Sequence, residues 1–395
     1  MKKRFLLWDN PRQAIYMLMF ILLLAGGVNV YSASFVSAQD MFSSGWYYLG
    51  RYFLFAAGGM VAIHIVRSIG YRRILNKRFL WYCYVLTFLM LLYVDYMGIA
   101  NKGATRWIYL GPFSIQPSEI AKLVIILLAA RYLGSAMKRG QRVELFTGEC
   151  AHVTYATLAV AALVVKQPDL GTAAIIVALL IGVFVIAGLA KKWIVGIIGA
   201  GLVGAVVLTI TSPYRWERIK VWFDPWLDER GSGYQMVQSL LAIGSGGLTG
   251  TEWGHGAGKF FYLPEAHTDF AFAIFCQENG LLGAALLLLV FAVMGAAFYR
   301  ISISTRDPKG FLLATGVTFL IIGQAFANMA MVCGILPVIG VPLIFISYGG
   351  SSMLISMCAI GLLLSVYDEE ERQMAVDAQT PEERRASFRF VHSRR

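Results

Sequence analysis

The sequence predicts an all-α integral membrane protein of about ten spanning helices, with both termini cytoplasmic and one long extracytoplasmic loop between the seventh and eighth spans. Three observations predict it. Of the 395 residues 58% are hydrophobic and only 14% charged, too little polar surface to cover a water-soluble fold. Apolar runs long enough to cross about 30 Å of hydrocarbon, roughly 20 helical residues, recur along almost the whole chain. Those runs lack the alternation of barrel strands, so helices are the reading.

The first span is expected at 14–34. MKKRFLLWDNPRQ ahead of it is basic like a signal peptide, but the apolar run is too long for an h-region and ends without a clear cleavage signal, so it is expected to stay. Spans follow at 47–66, 79–97 and 117–135. In the outer connection at 98–116, GATRWIYLGPFSIQ carries two short apolar runs around Gly111 and Pro112, the pattern of a small hairpin. The fifth, sixth and seventh spans are read at 151–166, 171–190 and 193–211.

The connection at 212–268 is long, and long loops in compact proteins usually carry function. Its first part, SPYRWERIKVWFDPWLDERGSGYQ, interleaves Trp216, Trp222, Phe223 and Trp226 with Arg215, Arg218 and Lys220, a composition for the headgroup layer. Next, YQMVQSLLAIGSGG sets Met236, Val237, Leu240 and Leu241 on one helical face, fit to lie in the interface, before Gly244, Gly246 and Gly247 end it. The eighth and ninth spans are placed at 269–298 and 311–333. GILPVIGVPLIFISYGGSSM then interrupts helix with Pro337, Gly340, Pro342, Gly349 and Gly350, either as a re-entrant element lining a site or as an ordinary outer loop. The tenth span is read at 350–367. The membrane domain is thus 14–367, with a cytoplasmic N-terminus at 1–13 and a charged tail at 368–395 expected to be largely disordered.

Lysine and arginine set the orientation. An N-terminus inside collects Lys2, Lys3, Arg4, Arg72, Arg73, Lys138 and Arg139 on the cytoplasmic side, and an even number of spans returns the C-terminus there. The formal charge of +11 follows from this bias and from attraction to anionic membrane lipid, so no nucleic-acid partner is called for. Five scattered cysteines without CxxC spacing read as packing residues, and the five histidines lack zinc-type spacing. GHGAGK, ending in Lys259, fails as a phosphate loop because Trp253 and Phe260 stand where Gly and Ser or Thr are required. No nucleotide site is expected.

Three polar groups stand where polarity is costly. Glu119 and Lys122, three apart on one helical face, are either a functional pair or an internal ion pair holding helices together. In VVKQPDLGTA, Lys166, Gln167 and Asp169 are either a turn capped by Asp169 or a cation and an acid lining an outward-facing cavity. In FYLPEAHTDFAFA, Thr268 or Asp269 is able to cap the eighth span, but a cap leaves Glu265 and His267 unexplained. A carboxylate there is able to act as a general base or bind a divalent cation.

Four stretches in order, GATRWIYLGPFSIQPSEIAKL, KQPDLGTA, YLPEAHTDFAFA with ENGLLG downstream, and LPVIGVPLIFISYGGSS, resemble the SEDS family (shape, elongation, division and sporulation), which polymerises the glycan strands of bacterial peptidoglycan. PEAHTDF and the Ser-Ser after YGG look more like the division and sporulation branches than the elongation branch. CQENG departs from the family, which commonly shows an acid pair where Gln277 stands. The resemblance implies that Asp269 is the essential outward-facing acid, with Arg106, Glu119, Lys122, Lys166 and Gln167 around the central cavity. Lys259, Glu265 and His267, in the loop leading to Asp269, join them as expected substrate contacts.

The resemblance also implies lipid II as substrate and dependence on a divalent cation, Mg²⁺ or Mn²⁺, with Asp269 its expected ligand. Implied partners are a class B penicillin-binding transpeptidase and other divisome proteins, at the septum of a bacterial inner membrane. Lipid II carries its own pyrophosphate leaving group, which suits the absence of nucleotide motifs. Such a transfer needs a base for the acceptor's 4-hydroxyl and positive charge for the departing pyrophosphate, and an α-linked donor giving a β-1,4 product means inversion. The same family membership admits a lipid II flippase, since transporters also bury ions beside the substrate path, or a non-catalytic scaffold.

Overall fold

The computed structural model describes residues 10–97, 106–111, 113–210, 213–251 and 263–377. The chain opens with helix α1, Pro11–Phe42. Asn10 caps it through Gln13 N–H and Pro11 occupies the first turn, where a missing N–H costs nothing. α1 outruns its expected end at 34, because at about 1.5 Å per residue it exceeds the hydrocarbon and its polar end stands in the outer headgroup layer. Next come α2, Tyr47–Ile69, the short cytoplasmic α3, Tyr71–Ile74, and α4, Lys77–Met97. The expected hairpin follows as antiparallel β1, Ile108–Leu110, and β2, Phe113–Ile115, with Tyr109 opposite Ser114. Gly111 supplies the positive φ of 61° at the turn.

Helices α5, Pro117–Lys138, α6, Cys150–Lys166, α7, Leu170–Ile186, and α8, Lys191–Ile210, complete the first half. The long outer connection is not irregular over its described residues 213–251. It folds as α9, Pro213–Phe223, a 3-10 turn at Pro225–Asp228, and α10, Tyr234–Ser245. Trp216, Phe223 and Trp226 are exposed, as a headgroup belt requires. α10 packs one face on the bundle. Its buried face is Met236, Val237, Ser239 and Ala242, whose small members let it seat on α11 and α13, while Leu241 is exposed.

The second half is α11, Ala271–Ser304, α12, Pro308–Thr318, a π-turn at Phe319–Gly323, α13, Gln324–Val332, and α14, Gly350–Asp377. Among the described residues, seven helical stretches are long and apolar enough to span a membrane, with α12 and α13 counted as one. α6 and α7 are apolar helices of 17 residues each, and the 20-residue α8 fills the remaining expected position. α5 and α14 form the centre, α5 against α12, α4, α6 and α7, and α14 against α2.

The tail expected to be disordered from 368 is helical as far as Asp377. The physical reason is charge pairing at the cytoplasmic face: Asp368 meets Arg12 at 2.8 Å and also pairs with Arg67, Glu369 meets Arg72 at 3.0 Å, and Arg306 meets Asp377 at 2.9 Å. Residues 378–395 of that expected tail lie outside the described residues.

Candidate active site at the outer end of the bundle

The site is built on an irregular segment, 333–349, inside the protein. Val341, Leu343, Ile344, Phe345 and Ile346 are all buried, so the re-entrant reading of this stretch is the one the fold adopts. Backbone without helix survives at such depth only if its polar groups find partners. Here side chains from four helices supply them. Tyr52 on α2 donates to the Phe345 carbonyl at 2.5 Å, and Asn29 on α1 donates to Ile346 at 3.4 Å and to Ala271 at 3.0 Å. Asn328 on α13 donates to Val341 at 2.7 Å, Gln324 to Pro342 at 3.4 Å, and Arg218 on α9 to Val338 at 3.3 Å. Gly171 lets α7 come in on the remaining side, where a Cβ would meet the Ile339 carbonyl at 2.2 Å.

Asp269 is held against this segment. Its carbonyl accepts the second N–H of Asn328 at 2.7 Å, and the Tyr348 N–H donates to the carbonyl of His267 at 2.8 Å. Neither Thr268 nor Asp269 caps α11. The cap position is Phe270, without a side-chain bond, and the Thr268 hydroxyl turns back to Glu265 at 2.8 Å. The Asp269 carboxylate instead faces Gly340. A Cβ at Gly340 would lie 3.5 Å from Asp269 Oδ2 and 4.0 Å from Arg106 Nη1, so acid and guanidinium converge over one bare backbone position. Asp269 is half-buried just ahead of the α11 N-terminus, whose dipole favours its anion. Glu265, at a φ of 56°, bonds the N–H groups of Thr268 and Phe270 through its carbonyl at 3.1 and 3.2 Å. The His267 ring packs 4.5 Å from that of Tyr48.

Arg106 leans onto the KQPD turn. It donates to the carbonyls of Gln167, at 3.4 Å, and Pro168, and lies 3.8 Å from the buried Asp169 carboxylate. Asp169 caps α7 as the turn reading expects, accepting from Thr172 N–H at 3.2 Å and its hydroxyl at 2.9 Å, while also presenting charge to Arg106. Gln167 is buried and donates to Leu91 on α4 at 2.9 Å. Lys166 is exposed, pairs with Asp95 on α4 at 2.5 Å and stands 4.9 Å over the Tyr96 ring.

Glu119 and Lys122 sit deeper. Lys122 is 0% exposed and donates to Glu119 at 2.7 Å and to Gln324 at 2.6 Å, which in turn bonds the re-entrant Pro342. This is the geometry of the internal-pair reading, and Gln324 links it to the site. Lys259 lies outside the described residues. Sequence reading missed Asn29, Asp95, Gln324 and Asn328. Their signal was present, since each is a lone polar group in an apolar run that must find a partner inside the protein. Among the described residues no three His, Cys, Asp or Glu side chains gather as a protein-only metal cage. A single carboxylate still suits Mg²⁺, which is commonly held by one or two carboxylates together with substrate phosphates.

The cell cycle protein family matches residues 12–372. Stage V sporulation protein E of Bacillus subtilis (strain 168) is 37% identical over 361 residues, covering 90% of this chain and 97% of that protein. The probable peptidoglycan glycosyltransferase FtsW of Geobacter sp. (strain M18) is 38% identical, over 89% of this chain and 95% of that protein. Among solved structures, one described as "Structural coordination of polymerization and crosslinking by a peptidoglycan synthase complex" superposes with a TM-score of 0.75 at 26% identity, over 90% of this chain and 97% of that one. Thermus thermophilus rod shape determining protein RodA gives a TM-score of 0.66 at 24% identity over 90% of this chain and 96% of that one, a likeness of fold alone. The chain therefore belongs to the cell cycle protein family of FtsW, RodA and SpoVE, the SEDS family that its four motifs resemble.

Proposed function

We propose that this chain is a peptidoglycan glycosyltransferase that polymerises lipid II into β-1,4 glycan strands at the outer face of the bacterial cytoplasmic membrane, at the division septum. The observation that carries the reading is the convergence of the Asp269 carboxylate and the Arg106 guanidinium over Gly340. A transfer from a diphosphate donor needs a base and a cation close together, and the outer end of the bundle offers both where finished precursor arrives. The relatives called peptidoglycan glycosyltransferase FtsW, and the structural neighbour described as a peptidoglycan synthase complex, support it.

Asp269 takes the proton from the acceptor 4-hydroxyl as that oxygen attacks the anomeric carbon, and one acid suffices for a single inverting displacement. Arg106, anchored on the Gln167 and Pro168 carbonyls, receives charge developing on the departing diphosphate. Lys166 adds a second cation at the same rim, steadied by Asp95. Asp269 together with the donor diphosphate would hold a divalent cation, which when bound neutralises part of the leaving-group charge. The partner is a class B penicillin-binding transpeptidase, which cross-links the strands as they emerge.

The test is polymerisation of lipid II by the purified full chain with Mg²⁺ or Mn²⁺, with and without the cognate transpeptidase. Asp269→Ala is expected to lose glycan product by about 10²-fold or more while melting like the parent. Undiminished polymer from Asp269→Ala removes the base assignment. Movement of lipid II across vesicles without polymer from the parent protein makes the chain a transporter instead.

A further inference from the structure

The opposite, cytoplasmic end of the bundle holds a cavity of about 310 Å³ that the chemistry above does not use. Four cations line it, Arg72, Arg131, Lys138 and Lys309, with Asp307 the one acid. They arrive from three elements: α3 brings Arg72, the last turns of α5 bring Arg131 and Lys138, and the start of α12 brings Asp307 and Lys309. α5 and α12 touch along this seam. A Cβ on Gly134 would lie 2.8 Å from the Lys309 Cα, so the cations flank one narrow junction.

The charges do not balance. Asp307 accepts a hydrogen bond from the Tyr71 hydroxyl at 3.1 Å. Burial pushes that hydroxyl up to about 12, so it stays protonated and remains a donor. Arg72 has its own partner in Glu369 at 3.0 Å. Among the described residues, Arg131, Lys138 and Lys309 form no ion pair within 4.0 Å. The charged groups facing Lys309 are Arg131, Lys138 and Arg139, opposed by Asp307, while Glu149 pairs with Arg139 at 2.7 Å and also faces Arg131, so the cations still outnumber the acids. Cations crowded in this way repel one another unless an anion sits between them. They stand at the cytoplasmic ends of α5 and α12, and basic pockets between spanning helices on that side take lipid phosphates.

We propose that the cavity between α3, α5 and α12 is a binding site for a phosphate-bearing anion, supplied by the headgroup of an anionic phospholipid of the inner leaflet. The helices it would join are those that carry Lys122 and lead into Gln324 and Asn328 at their far ends. An anion there braces from below the same helix pair that holds Asp269 in place above.

The experiment measures binding of phosphatidylglycerol and of phosphatidylcholine to the purified full chain by native mass spectrometry. The parent is expected to prefer phosphatidylglycerol by about tenfold or more, and the Arg131→Gln, Lys309→Gln double variant to lose that preference. Lys192→Gln, an exposed cytoplasmic lysine away from the cavity, is expected to keep it. A second arm adds millimolar pyrophosphate. Failure to displace phosphatidylglycerol assigns the site to lipid, whereas displacement with a rise in parental melting temperature assigns it to a soluble phosphate. Equal phosphatidylglycerol binding by the parent and a normally melting double variant overturns the proposal. Should the double variant misfold, Lys138→Gln is the deciding one: reduced preference supports the site and unchanged preference overturns it.

Discussion

Backbone bonds help to hold Asp269 in its place. Asn328, fully buried, donates at 2.7 Å both to the Asp269 carbonyl and to Val341 across the re-entrant segment. Asn328→Ala leaves two buried carbonyls without that donor, at about 1–3 kcal/mol each, and a lower melting temperature is the expected result. Because Asn328 positions the acid without touching substrate, kcat is expected to fall with KM little changed. Gly340→Ala has a different origin: a methyl would enter 3.5 Å from Asp269 Oδ2, and the φ of 66° is one that an L side chain resists by about 1–2 kcal/mol. Loss of polymerisation with binding of the divalent cation weakened is the expected outcome, read by a shift of the Mn²⁺ activation curve to higher concentration.

At the scale of elements, two devices tie parts of the bundle together. One is the Glu119, Lys122, Gln324 chain between α5 and α13. Lys122→Ala strands a buried carboxylate and is expected to cost about 3–5 kcal/mol, whereas Glu119→Gln combined with Lys122→Met recovers most of that loss, as thermal melting in detergent would record. The other is a break in α11 at Gly280, whose φ of 63° and ψ of −168° lie outside helix. The loop after α10 fills the break, with Gly247 and Leu248 carbonyls accepting the N–H groups of Leu281 and Leu282 at 2.9 and 3.1 Å. A Cβ at Gly280 would meet Gly250 N at 2.3 Å, so Gly280→Ala is expected to undock this loop and speed hydrogen exchange at residues 247–251.

On the scale of the whole molecule, the cytoplasmic arginines tie the first helix to the last: Arg12 bonds Asp368 and Glu371 at 2.8 and 2.5 Å, so the start of α1 and the last turns of α14 share one face. A fluorescent protein fused after Asp377 is therefore expected to fold and fluoresce in the cytoplasm, while alkaline phosphatase inserted after Gly250 is expected to be active outside. Fluorescence lost and phosphatase inactive would reverse the topology.

Composition and the spacing of apolar runs determined the class, the helix order and the orientation, because each spanning helix closes its own backbone bonds and is legible locally. The hairpin at Gly111 and the Asp169 cap were equally local, each decided within a few neighbouring residues. The acid at 269 was legible as an anomaly, a charge at the mouth of an apolar run. What only tertiary structure decided was its company. Asn29, Tyr52, Gln324 and Asn328 come from helices far apart in sequence to satisfy one irregular segment, and the ordered start of the charged tail depends on arginines 71 to 359 residues away. The physical reason is that a buried polar group must be paired, but its chemistry alone does not say by which partner.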